Sequence, residues 1–207
     1  MNKKLWSRDF SLITVATILA AIGGEAIVLP LSLLVFDQTQ STMASAIIMI
    51  FGVLPDILFS ILVAPIIDRS SRKKWIVASN AAIFVLFVAI GFYVLRNPFN
   101  LAIYGAFTLI ISTLSLFYQL AYKSLYPDLI AVGYEQKGYA VAGIIYPTVP
   151  IVMAPVAAFM YERIHIGYIF FIVAAIIALS ILILSRINET RKSAPGNFSI
   201  KQYPADL

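Results

Sequence analysis

The chain has 207 residues, 61% of them hydrophobic and only 12% charged, with a mean hydropathy of +0.92. A soluble domain needs more charge than that to cover its surface, so the solvent for most of this chain is membrane lipid. The lack of cysteine and the single histidine, His165, exclude disulfides, thiolate catalysis and His- or Cys-built metal sites, and no cofactor is expected.

A spanning helix needs about 20 mostly apolar residues, because the hydrocarbon core is about 30 Å thick. Taken in order, residues 10–36, 44–67, 75–95, 101–122, 139–161 and 166–185 meet that length. Polar punctuation separates them at 37–42, 68–74, 96–100, 123–138 and 162–165. None of the runs alternates with period two as a membrane barrel would. The fold class predicted is an all-α membrane protein whose six-helix bundle fills residues 10–185, after a short N-terminus (1–9). Lys3 and Lys4 before an apolar run resemble a signal peptide, but the run continues past Glu25 to Phe36, which predicts an uncleaved first helix. Residues 186–207 are polar, contain Pro195-Gly196, and read as a linker.

The net charge of +5 does not point to nucleic acid, because the basic residues lie between apolar runs and not on one folded face. Their distribution sets topology instead. Of the 15 Lys and Arg, all but Arg96 and Arg163 fall in the N-terminus, the second and fourth loops and the tail. The positive-inside rule then predicts both termini in the cytoplasm, with the chain in the cell (inner) membrane.

Two carboxylates fall inside the spans. Glu25 and Asp56 lie at similar depths of adjacent antiparallel helices, and a charge there costs about 2.5–3.5 kcal/mol on insertion scales, so such residues mark interiors or function. On the first helix Thr14, Thr17, Ala21, Glu25 and Ser32 share a stripe, and on the second Ser45, Gly52, Asp56 and Ser60 do. The fourth helix carries Thr108, Ser112, Ser115, Gln119 and Lys123 along one face. Hydroxyls of this kind also serve as packing contacts between helices; with two carboxylates added, the set predicts a polar cavity. Pro30, Pro55, Pro65, Pro147, Pro150 and Pro155 each remove a backbone hydrogen bond, giving fixed bends or hinges.

The second loop reads Ala64-Pro-Ile-Ile-Asp68-Arg69-Ser-Ser-Arg72-Lys73-Lys74. It resembles the signature G-x-x-x-D-R-x-G-R-R/K that joins helices 2 and 3 of the major facilitator superfamily. Asp68, Arg69, Arg72 and Lys73 fall on matching positions; Ala64 and Ser71 replace the glycines. Gly23-Gly24-Glu25 followed by Leu29-Pro30-Leu31 is similar to helix 1 of the branch with macrolide and siderophore exporters. Tyr126-Pro127-Asp128-Leu129 resembles that branch's loop after helix 4, and Ala154, Pro155 and Ala158 stand where its helix 5 antiporter motif lies. The arginine that many proton-coupled members carry within helix 4 is missing.

The resemblance implies the N-terminal half of a secondary active transporter, in which two six-helix halves rock about a midplane site. The tail looks like the family's central linker, cut before helix 7. The expected function is export of small amphipathic compounds. Glu25, Asp56, Ser112, Ser115 and Gln119 are the candidate substrate or ion ligands, and Asp68 and Arg72 a cytoplasmic latch. The expected partners are the small-molecule substrate and either a second six-helix half or a second copy of the chain. The alternative is a small polytopic interaction protein that transports nothing. An enzyme is not expected: the Gly-x-Gly-Asp signature of intramembrane aspartic proteases is absent, and Asp56 follows Leu54-Pro55. Reporter fusions after Lys74 should read cytoplasmic and fusions after Asn100 external; an external reading after Lys74 would overturn every loop assignment.

Overall fold

The computed structural model describes residues 5–68 and 70–187, without the Asp68 side chain. Six helices follow one another: α1 (Arg8–Thr39), α2 (Thr42–Asp68), α3 (Arg72–Arg96), α4 (Leu101–Leu129), α5 (Glu135–Arg163) and α6 (Ile166–Ser185). All six are long and apolar enough to cross a bilayer. The chain is a multi-pass membrane protein. Consecutive helices run in opposite directions, so one end of the bundle collects Arg8, Arg72, Lys73, Lys74, Lys123 and Lys137 and is called the basic end below.

Helix ends are fixed locally. Ser7 Oγ accepts from the Phe10 amide at 3.2 Å and Asn100 Oδ1 from the Ala102 amide at 3.0 Å, which satisfies donors orphaned at helix starts. α1 stops at Gln40, in the left-handed region with φ 51°, whose amide returns to the Phe36 carbonyl. The chain's single histidine caps a helix too: His165 Nδ1 accepts from the Gly167 amide at 3.2 Å.

The largest departure from the sequence reading is the fourth loop. Residues 123–138 read as polar punctuation, yet α4 runs on to Leu129 and α5 begins at Glu135. Lys123 and Asp128 set the edge of the apolar run, and a helix can project beyond that edge wherever its flank stays packed. Here Tyr122, Leu125, Tyr126 and Leu129 are buried. Tyr126 also donates to the Gly138 carbonyl at 2.8 Å, and a β-carbon at Gly138 would stand 2.5 Å from the Ile130 side chain, which would have to move to admit it.

α3 packs on α6 and α4; α1 packs on α5 and α6; α2 packs on α4. Exchanging α1–α3 with α4–α6 reproduces these pairings, and because α1 and α4 run in opposite directions the two triplets form an inverted repeat. Two apolar cores result. One, around Phe87, Phe107 and Phe170, fills the end away from the basic residues, with ring centroids 5.4–5.9 Å apart. The other, around Phe10, Ile67, Leu125 and Leu184, fills the basic end.

Pro55 shows how the helices are tied. Having no N–H, it cannot bond the Phe51 carbonyl one turn earlier. Ser112 Oγ of α4 lies 2.9 Å from that oxygen and 2.8 Å from its own Thr108 carbonyl. One proton serves one acceptor at a time, so the hydroxyl can donate across to α2 or back to α4. Interhelical bonds of this type measure about 0.6 kcal/mol on average and up to about 1.7. Ser112→Ala should therefore destabilise the purified protein by about 0.5–1.5 kcal/mol. In a Pro55→Ala background, where the α2 amide returns, the same change should cost almost nothing. Equal costs in both backgrounds, measured by denaturation in detergent, would remove the assignment.

Candidate functional site

Between the two cores lies a cavity of about 860 Å³ to which all six helices contribute, α1 and α4 most. The whole polar face of α4 lies on it: Thr108, Ser112, Ser115, Gln119 and Lys123. From α1 come Thr17, Ala21 and Gly24, from α2 Gly52 and Asp56, and from α3 Asn80. α2 and α5 flank the cavity and, among the described residues, do not pack closely on each other. Phe87 and Phe107 wall it at one end. Towards the basic end it reaches the exposed side chains of Lys123 and Tyr139.

Asp56 is the one carboxylate among the lining residues, and its Oδ1 is buried without a hydrogen-bond partner. An unpartnered carboxylate oxygen buried against protein is costly and commonly marks a functional position. Glu25 is placed differently from the expectation. It is half-buried and does not line the cavity. At 100° per residue the lining face of α1 centres on Ala20, Gly24 and Leu31, and Glu25 falls on its flank with Thr14 and Ser32. Thr14 donates to the Phe10 carbonyl at 2.7 Å and Ser32 to that of Leu29 at 2.9 Å. The stripe read from sequence therefore contained two faces.

Aromatic side chains were the missed part. Tyr118, Tyr122 and Tyr126 follow at four-residue steps on α4, and Tyr139 and Tyr146 join them from α5. Ring centroids along Tyr118–Tyr122–Tyr126–Tyr139 are 6.2, 5.2 and 6.2 Å apart. The Thr17 hydroxyl lies 2.8 Å from the Ile13 carbonyl and 2.9 Å from Tyr122 Oη, to either of which it can donate, and the second contact joins α1 to α4. The four-residue spacing was visible in the sequence, but it passes for ordinary core packing until the rings are seen to border a cavity.

At the basic end, two stretches that resembled family motifs meet. Arg72 Nη1 donates to Asp128 Oδ2 at 2.5 Å and to the Ser124 carbonyl at 2.9 Å. Asp128 stands at a helix C-terminus, where a carboxylate is disfavoured unless a cation faces it. Lys73 Nζ lies 2.7 Å from the Ser185 carbonyl and 2.6 Å from that of Ile187, covering the end of α6. The Asp68 side chain and Arg69 lie outside the described residues, as do residues 188–207 of the tail expected at 186–207. Ala154, Pro155 and Ala158 lie on α5 away from the cavity lining.

A sequence profile of the Major Facilitator Superfamily matches residues 13–203. The chain belongs to this superfamily. The six-helix bundle is one half of the superfamily's fold, and its members are transporters rather than enzymes. Comparison with curated proteins finds no match. Within this superfamily protein the Arg72–Asp128 pair is partly exposed on both sides, so its removal should cost about 1–2 kcal/mol, between exposed pairs and charged hydrogen bonds. Arg72→Ala should be the more damaging change because Arg72 makes further contacts. Once Asp128→Asn is present, it should cost less than it does alone; strict additivity in thermal unfolding would show that the pair contributes nothing.

Proposed function

We propose that the chain forms one half of an exporter of small amphipathic compounds, with the cavity between the two cores as this half's share of the substrate path. The observation that carries the reading is the coincidence of the α4 polar face, Asp56 and a tyrosine wall on one cavity of about 860 Å³. That volume suits a drug-sized molecule, and a mostly apolar lining with few polar groups suits an amphipathic one. The gap between α2 and α5 is where a second six-helix half, as another chain or a second copy, would complete the wall. Outward direction rests on the resemblance of Gly23-Gly24-Glu25 and Leu29-Pro30-Leu31 to the exporter branch.

The chain contains no cysteine, so a single introduced thiol reports without background. Ser115→Cys should react with a membrane-impermeant maleimide in sealed vesicles, faster from the side of the basic end. Gly24→Trp should suppress that labelling, since Gly24 lines the cavity and a β-carbon there meets nothing within 4 Å. A Ser115→Cys protein inserted normally but unreactive from both sides would mean a packed bundle, favouring the interaction-protein alternative.

A further inference from the structure

Among the described residues four helices start on a side-chain cap, and three of those caps, Ser7, Ser71 and Asn100, keep their acceptor oxygen at any pH. The fourth is His165, whose Nδ1 accepts from the Gly167 amide at 3.2 Å. An imidazole can do this only while Nδ1 carries a lone pair and the proton sits on Nε2. Once both nitrogens are protonated, an N–H meets an N–H, and the added positive charge stands at the positive pole of the helix. His165 is exposed, so protons reach it from water.

The turn that His165 caps is closely packed. A β-carbon at Gly167 would lie 2.8 Å from the Leu95 side chain at the end of α3. Ile166, Ile169 and Phe170 are buried in the core opposite the basic end, where Phe170 packs on the two rings that wall the cavity, Phe87 and Phe107. Loosening the first turn of α6 would therefore loosen that wall. The other ionisable groups at this end are Asp37 on α1, Arg96 and Tyr93 on α3, Tyr161, Glu162 and Arg163 on α5, and Tyr168 on α6 itself. Asp37 is taken by the Tyr161 hydroxyl at 2.6 Å. Carboxylates, guanidinium groups and phenols as classes keep their charge between about pH 8 and about pH 5.5, whereas an ordinary imidazole changes its charge near about pH 6.5.

We propose that His165 is a pH-sensitive cap: neutral, it pins the start of α6 against α3; protonated, it releases that turn and softens the cavity wall behind it. This holds whatever the cavity carries. The test is hydrogen exchange of the full chain in detergent at about pH 8 and about pH 5.5, corrected for intrinsic exchange rates and read on peptides spanning residues 166–171. Protection there should fall about fivefold on acidification, as loss of one cap does, while peptides at the Asn100 cap of α4 keep theirs. His165→Asn, a cap without a titrating nitrogen, should hold the alkaline value at both pH values, and His165→Ala should show the acid value at both. The chain has one histidine, so nitrogen-15-labelled imidazole gives a single set of signals, which at the higher pH should be those of the Nε2–H tautomer. Unchanged wild-type protection, an equal fall in His165→Asn, or an Nδ1–H tautomer would each overturn the inference. Should neither variant fold, the wild-type peptides and the imidazole signals decide it alone.

Discussion

In hydrocarbon no water stands ready to take up a spare N–H or C=O, and this constraint shapes the whole molecule. It makes every span a helix. It also decides what may interrupt one: Pro55 leaves the Phe51 carbonyl without its usual partner, and a hydroxyl on the neighbouring helix is placed beside it. Polar side chains obey the same rule. The α4 hydroxyls, Gln119 and Asp56 face inward because the alternative is lipid, and the space they surround is what remains when two apolar cores close the ends and nothing closes the middle.

Much of this was legible in the sequence because lipid penalises polar groups so steeply that their spacing alone reveals the inward face. Thr108 to Lys123 on α4 illustrates it: all five residues line the cavity. The α1 stripe was harder. Glu25 is only 40° around the helix from Ala21, which does line the cavity, and a wheel of small residues cannot separate the face from its flank. The extension of α4 to Leu129 escaped because length counted in apolar residues measures the bilayer and not the helix. The inverted pairing of the two triplets left no trace in the residues; it is a property of which helices touch, settled by tertiary packing.

The basic end combines two uses of charge. Positive residues there are what the topology rule counts, and that rule asks nothing of their geometry. Yet Arg72 and Lys73 are each committed to particular acceptors, one on α4 and one at the end of α6. Two neighbouring residues at the start of α3 thereby hold the ends of two other helices. A substitution that conserves charge but shortens reach would keep the topology while loosening that junction.

The shared hydroxyl of Ser112 has a mechanical meaning. A carbonyl freed by proline lets α2 bend, and the same carbonyl, taken by α4, sets how far the bend can go. Sliding α2 past α4 by a full turn, about 5.4 Å, would carry donor and acceptor out of reach and break the bond. While the hydroxyl points to α2, small flexing between the walls bearing Asp56 and Ser115 is permitted and slippage by a turn is opposed.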